Sequence, residues 1–232
     1  MLDANKKLER FLKIQGSIHD YEILLEAVKK VDVIISALGH EPAQFGGQTK
    51  ILKAIMEAGN IKRFIPSEFG TDAERVDPVE PAKTAVKQKF HLLYIQGKVN
   101  IIGDGDTQAI YVNERDVAAY VIKAAIDTRT LKKILYVRPS KNSYSLNQHV
   151  ALWEKKTGKT LKKKYITEEQ LLAKISCSPI PLSLQLSIAY SAYIKGEQTN
   201  FNIDPSNGVE ATELYPEVDY ITVEEFMNGC LL

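Results

Sequence analysis

A tyrosine and a lysine four residues apart can share one helix face, where the ammonium lowers the phenol pKa and readies it for proton transfer. Tyr94-Ile95-Gln96-Gly97-Lys98 has that spacing. Gly97 interrupts the helix it needs and an extended run follows within two residues, so the match reads as chance. Gly158-Lys159-Thr160 ends like a phosphate-binding loop, but Trp153 stands where the first glycine of that loop is required. His19, His40, His91 and His149 have no metal-ligand spacing and read as surface or packing residues. Asp104 and Asp106 lack the rest of a calcium loop. No metal is expected. Lys159, Lys162, Lys163 and Lys164 read as a solvated helix end rather than a binding patch.

Two loops remain. Open parallel sheets bind ligands beyond the carboxyl ends of their strands. Ala37-Leu38-Gly39-His40 follows a β-branched run at residues 31–36, and Ser67-Glu68-Phe69-Gly70 follows a second run at 61–66. Small residues in the first loop would let a flat ligand approach the backbone, although Gly39 and Gly70 read first as turn glycines.

The elements that hold these loops follow from local chemistry. Asp20 caps a helix reaching about residue 30, with Leu24, Leu25 and Val28 on one face. The run VDVIIS at 31–36 predicts a strand buried on both faces. A helix over 48–58 carries Ile51, Leu52, Ile55 and Met56, and Gly59 sits at its C-terminal cap. With a strand at 61–66, this makes a parallel crossover unit. Further along, residues 99–103 predict a strand followed by the turn Gly103-Asp104-Gly105-Asp106. Asn113 and Asp116 open a helix bearing Val117, Tyr120, Val121 and Ala124, and residues 134–137 predict a short strand. Ser145 with Gln148, Thr167 with Gln170 and Thr222 with Glu225 are capping boxes.

The 232 residues are 44% hydrophobic and 25% charged, enough for a sizeable core. Thirty Lys and Arg against 29 Asp and Glu leave a formal charge of +1, which argues against nucleic acid or an anionic membrane as partner. No apolar run approaches the roughly 18 residues of a membrane span. Residues 1–7 lack an apolar signal region, and Cys177 and Cys230 stand far apart, as suits a reducing compartment. A cytoplasmic protein is expected.

The combination of segments is more specific than its parts. Residues 31–37 (VDVIISA), 54–64 (AIMEAGNIKRF), 66–70 (PSEFG) and 79–83 (VEPAK) resemble the isoflavone reductase-like group, NmrA-like and atypical short-chain reductases, which includes the phenylcoumaran benzylic ether, pinoresinol–lariciresinol and eugenol-forming reductases. Residues 102–105 (IGDG), 135–139 (LYVRP), 151–156 (ALWEKK), 196–201 (GEQTNF), Glu210-Ala211 and Leu214-Tyr215-Pro216 agree. The resemblance spans nearly the whole chain. It implies an α/β fold with an incomplete Rossmann-type parallel sheet and a smaller α+β substrate lobe. Residues 1–96 would form the partial dinucleotide-binding region, and 97–232 the lobe, within one NmrA-like domain.

The resemblance also implies hydride transfer from NADPH to a small phenylpropanoid-derived substrate, by a monomer or homodimer. The family handles the proton with one lysine, six residues after the Lys or Arg of its Glu-Pro-Ala-Lys stretch; counting from Lys83 reaches Lys89. An ammonium brought toward neutrality by burial can exchange a proton with a phenol or ether oxygen. Ser36, Ala37 and Gly39 match the loop lining the adenosine ribose, Gln48 a polar contact near the dinucleotide, and Ser67, Glu68 and Phe69 the loop beside the nicotinamide. Glu68 equally suits a loop-fixing carboxylate. No G-x-G-x-x-G segment is present, and the family's helix and strand just past Lys89 are missing. A catalytically silent member acting as a binding or regulatory protein is therefore the competing expectation.

Overall fold

Asp20 is extended and its carboxylate accepts the Ile23 N–H at 3.3 Å, which opens helix α1 over Tyr21–Val28 as its sequence predicts. The structure is a computed structural model that describes residues 14–38, 47–67, 70, 75, 79–80, 98–180 and 182–230. The chain divides between Ser67 and Glu68 into two compact units.

In the first unit α1 is followed by β1 (Val33–Ile35), α2 (Gly47–Ala58) and β2 (Arg63–Ile65). β1 and β2 pair in parallel, Val33 opposite Arg63 and Ile35 opposite Ile65, so α2 is the crossover. Gly59 takes φ +68° and its N–H reaches the Ile55 carbonyl at 3.0 Å, a left-handed ending that glycine adopts without a Cβ clash. Asn60 then donates to the Val31 carbonyl at 2.7 Å, and the Tyr21 hydroxyl donates to Glu57 at 2.6 Å, linking α1 to α2.

The expectation that residues 31–36 are buried on both faces is not met: Val31 and Ile35 are 42% and 40% exposed. Among the described residues β1 has one ladder neighbour, β2, so part of its side-chain surface faces outward. The same holds for α2. Ile51 and Ala54 turn inward, whereas Met56 is 83% exposed despite its helical spacing.

The second unit begins with β3 (Lys98–Ile102) and continues through β4 (Gln108–Ile110), α3 (Glu114–Ile126), β5 (Ile134–Tyr136), β6 (Ser143–Ser145) and α4 (Leu146–Thr157). It ends with β7 (Lys162–Ile166), α5 (Glu168–Cys177), α6 (Leu182–Tyr193), β8 (Gly208–Glu210), α7 (Ala211–Leu214) and α8 (Val223–Cys230). β3 pairs in parallel with β7, β5 in parallel with β8, and β4 antiparallel with β6. Lys162, Lys163 and Lys164 therefore lie on a strand, not at a helix end. The ladder to β3 claims their backbone, and the side chains stay exposed.

Ser145 and Gln148 close the capping box of α4, and Thr167 and Gln170 that of α5. Thr222 and Glu225 do the same for α8, with Thr222 N–H to Glu225 at 2.8 Å and Glu225 N–H to Thr222 Oγ1 at 3.2 Å. The turn after β3 holds Gly105 at φ +80°, where a Cβ would collide with Ile101 and Asn147. The main core joins Ile101, Val150, Leu171, Ile175, Tyr190 and Tyr193, while Tyr120, Ala211 and Tyr215 form a second cluster. Asp116 is buried, and its carboxylate accepts the Ile221 N–H at 2.9 Å; burial pushes its pKa up from the ordinary value.

His149 is buried in α4 with its ring 4.9 Å edge-on from Tyr111. Burial pushes its imidazole down to about 4.

Three outcomes follow from this packing. In urea unfolding, Leu171→Ala costs about 3 kcal/mol through the cavity it leaves, and Ser145→Ala costs about 1 kcal/mol through the lost cap. The folded His149 pKa lies below the unfolded value, so its neutral form supports the fold above about pH 6.5, and that support is lost as pH falls toward 4. The loss is about 3 kcal/mol, and His149→Leu removes this part of the difference between urea midpoints at pH 7 and pH 4.5.

Candidate ligand site at the strand tips

Parallel strands point their carboxyl ends the same way, so the loops leaving β1 and β2 rise side by side. The Ser36 N–H donates to the Ile65 carbonyl at 2.8 Å, the last rung described between the strands. Beyond that rung the link passes to side chains. Gln48, in the first turn of α2, accepts the Ser67 N–H on Oε1 at 2.6 Å. The Ser67 hydroxyl in turn donates to the Leu38 carbonyl at 2.9 Å, crossing from the β2 loop to the β1 loop. The start of α2 is pressed close: a Cβ on Gly47 would stand 3.0 Å from both Leu38 and Ile18.

Ser36 is 4% exposed and its hydroxyl has no hydrogen-bond partner among the described residues. A hydroxyl desolvated without a partner carries an energetic cost. Ala37, beside it, is exposed and offers only backbone and a methyl group. Ser36, Ala37, Gln48 and Ser67, four of the residues expected to bind the dinucleotide, thus come together at one end of a parallel pair. Gly39, Glu68, Phe69 and Lys89 lie outside the described residues, as do Lys83, His40, His91 and the Tyr94 of the rejected Tyr-x-x-x-Lys match. Among the described residues no group of three or more His, Cys, Asp or Glu could hold a metal, and no helix is long and apolar enough to cross a membrane.

Sequence reasoning missed a second constellation, in the other unit. Arg75 donates from Nη2 to the Glu197 carbonyl and lays its guanidinium over the Phe201 ring at 3.6 Å, while Arg138 approaches the same ring at 4.7 Å. Val79 packs on the main core and the Glu80 carbonyl accepts the Ser187 hydroxyl at 3.2 Å, so Arg75, Val79 and Glu80 are each anchored. No local pattern announces such contacts; an arginine reads as surface until a distant aromatic residue is placed under it.

A crossover unit with polar groups gathered at its strand tips, in a chain that also carries a mixed α/β unit, is of the open parallel-sheet class, in which ligands bind at the strand tips. The NmrA-like family model matches residues 13–95 and 96–227, and the chain belongs to that family. It is 46% identical to an isoflavone reductase-like protein of Olea europaea and 47% identical to the phenylcoumaran benzylic ether reductase Betv6 of Betula pendula, each match covering 93% of this chain and 80% of the relative. Those alignments run to 248 positions, more than 93% of 232 residues supplies, so the relatives carry residues within the matched span that this chain lacks. A leucoanthocyanidin reductase–NADPH binary complex from Vitis vinifera superposes with a TM-score of 0.84 at 33% identity, over 93% of this chain and 84% of that one. The fold is α/β of the Rossmann-type, NmrA-like kind, as the sequence implied.

Replacing the Ser36 hydroxyl with hydrogen removes a desolvated group that no atom of the described residues compensates. Ser36→Ala raises the stability of the ligand-free protein by about 1 kcal/mol, read from urea midpoints; a loss of that size would show that the hydroxyl is satisfied.

Proposed function

We propose that this chain is an NADPH-dependent reductase of small phenylpropanoid-derived substrates such as isoflavones or lignan benzylic ethers. The observation that carries the reading is identity of 46–47% across 93% of the chain to relatives named as an isoflavone reductase-like protein and a benzylic ether reductase. The NADPH complex of a 33% identical relative supports the cofactor.

The residues at the strand tips suit such a cofactor: a buried hydroxyl with no partner among the described residues and a serine beside exposed backbone are groups that ribose and phosphate oxygens engage. Ser36, Ala37 and Gly39 would hold it along the β1 side, and Ser67, Glu68 and Phe69 along the β2 side. When bound, NADPH supplies the hydride, and the protein orients it. Lys89 handles the proton at the substrate's phenol or ether oxygen, by analogy with the family's lysine. Residues 1–96 serve the cofactor and 97–232 the substrate, in a cytoplasmic monomer or homodimer.

A catalytically silent binding protein is favoured by one observation, the exposure of Ile35, Leu52 and Met56 on a unit that would bind the dinucleotide. Titration with NADPH, followed by cofactor fluorescence, separates the two. Submicromolar affinity is expected; no binding at about 100 μM sinks the reductase reading. Where turnover is seen, Lys89→Ala lowers kcat by about 10²–10⁴ with NADPH affinity kept, and unchanged turnover rejects Lys89.

A further inference from the structure

We propose that Gln48 is a positioning residue, whose side-chain oxygen holds the Ser67 backbone and so sets the spacing of the two loops between which the ligand lies. The inference rests on the reductase reading above and assigns Gln48 a task distinct from touching the dinucleotide.

The geometry is specific. The backbone ladder between β1 and β2 ends with Ser36 N–H to Ile65 O. One step further out, the Ser67 N–H has left the ladder and is met by Gln48 Oε1 at 2.6 Å. A carboxamide accepts only through oxygen, so a donor N–H fixes which way the group faces and turns the NH₂ away from Ser67. Ser67 passes the constraint on through its hydroxyl to Leu38 O at 2.9 Å. Three segments that backbone pairing does not connect, the β1 loop, the β2 loop and the first turn of α2, are thereby held by one side chain and one serine. Helix α2 supplies a rigid base for this tie, since Ile51 and Ala54 of its following turns are buried.

Reaction geometry is sensitive to such placement: a shift of about 1 Å in a supporting group can cost about 100-fold in rate. A direct contact, in contrast, acts on affinity. Gln48→Met keeps the length and removes the acceptor. Gln48→Glu keeps an acceptor at the same reach and removes the NH₂ donors. A tie therefore separates the two variants, whereas a direct contact through the NH₂ group makes them fail together.

The experiment measures three quantities on the full chain and both variants: NADPH affinity, turnover of a phenylcoumaran benzylic ether at saturating NADPH, and amide hydrogen exchange at Ser67. Gln48→Met should exchange Ser67 about tenfold faster and lose about tenfold or more in kcat, with NADPH affinity within threefold. Gln48→Glu should keep Ser67 protected and recover most of the lost kcat. Unchanged Ser67 exchange in Gln48→Met overturns the proposal, as does equal weakening of NADPH binding in both variants with kcat intact. If the unaltered protein binds NADPH but reduces none of the substrate, the reductase reading fails instead, and the exchange rates still decide whether the tie exists.

Discussion

The parallel pairing of β1 with β2 is the constraint on which the candidate site depends. Parallel strands cannot be joined by a tight turn, so the chain must run back along a helix before the second strand begins. That return places the start of α2 close to the end of β1 and lets Gln48 meet the loop leaving β2. The chemistry of the strand tips is thus a by-product of connectivity: two carboxyl ends and one helix start converge because no shorter route exists. With ladders of three residues, pairing alone fixes little beyond Ser36, and side-chain hydrogen bonds take over where it stops.

The second unit relies on a different balance. Among the described residues its strands are short and paired two by two, and helices carry much of the core, with Leu171 and Ile175 of α5 and Tyr190 and Tyr193 of α6 in one cluster with Val99 and Ile101 of β3. Polar side chains then fix the segments that regular structure does not reach. Asn142 holds the Val223 N–H and the Ile221 carbonyl at 2.9 Å each, and Asp116 holds the Ile221 N–H, so the entrance to α8 is set by two buried side chains from earlier in the chain. Such buried polar groups are well placed only when fully bonded.

Much of this was legible in the residues. The caps at Asp20, Asn113, Ser145, Thr167 and Thr222 are local, since a side-chain oxygen and an N–H two or three residues on need nothing else, and all five hold. The strand pair and its crossover were equally readable from β-branched runs around an amphipathic helix. What was not readable depends on distant partners. β4, β6 and β8 are three residues each and exist only through their pairing, and Lys162–Ile166 hid behind its charges because a lysine run shows no period of two. At the site, residue types and the family resemblance identified Ser36, Ala37, Gln48 and Ser67, but not that Gln48 faces Ser67. A hydrogen bond from backbone to an amide 19 residues away leaves no trace in composition or spacing. Lys89, Gly39, Glu68 and Phe69 lie outside the described residues.

The lysine-bearing β7 has a consequence for how the molecule meets copies of itself. One flank is occupied by β3, and among the described residues the other carries no strand. Three consecutive ammonium groups, directed alternately to the two faces of this strand, disfavour pairing with an identical strand from a second molecule, and each would have to shed hydration to join. Among the described residues Lys163 is offset locally, by Glu154 at 3.2 Å. Charge of this kind on a strand works against edge-to-edge stacking, and acetylation of those amines would weaken that effect.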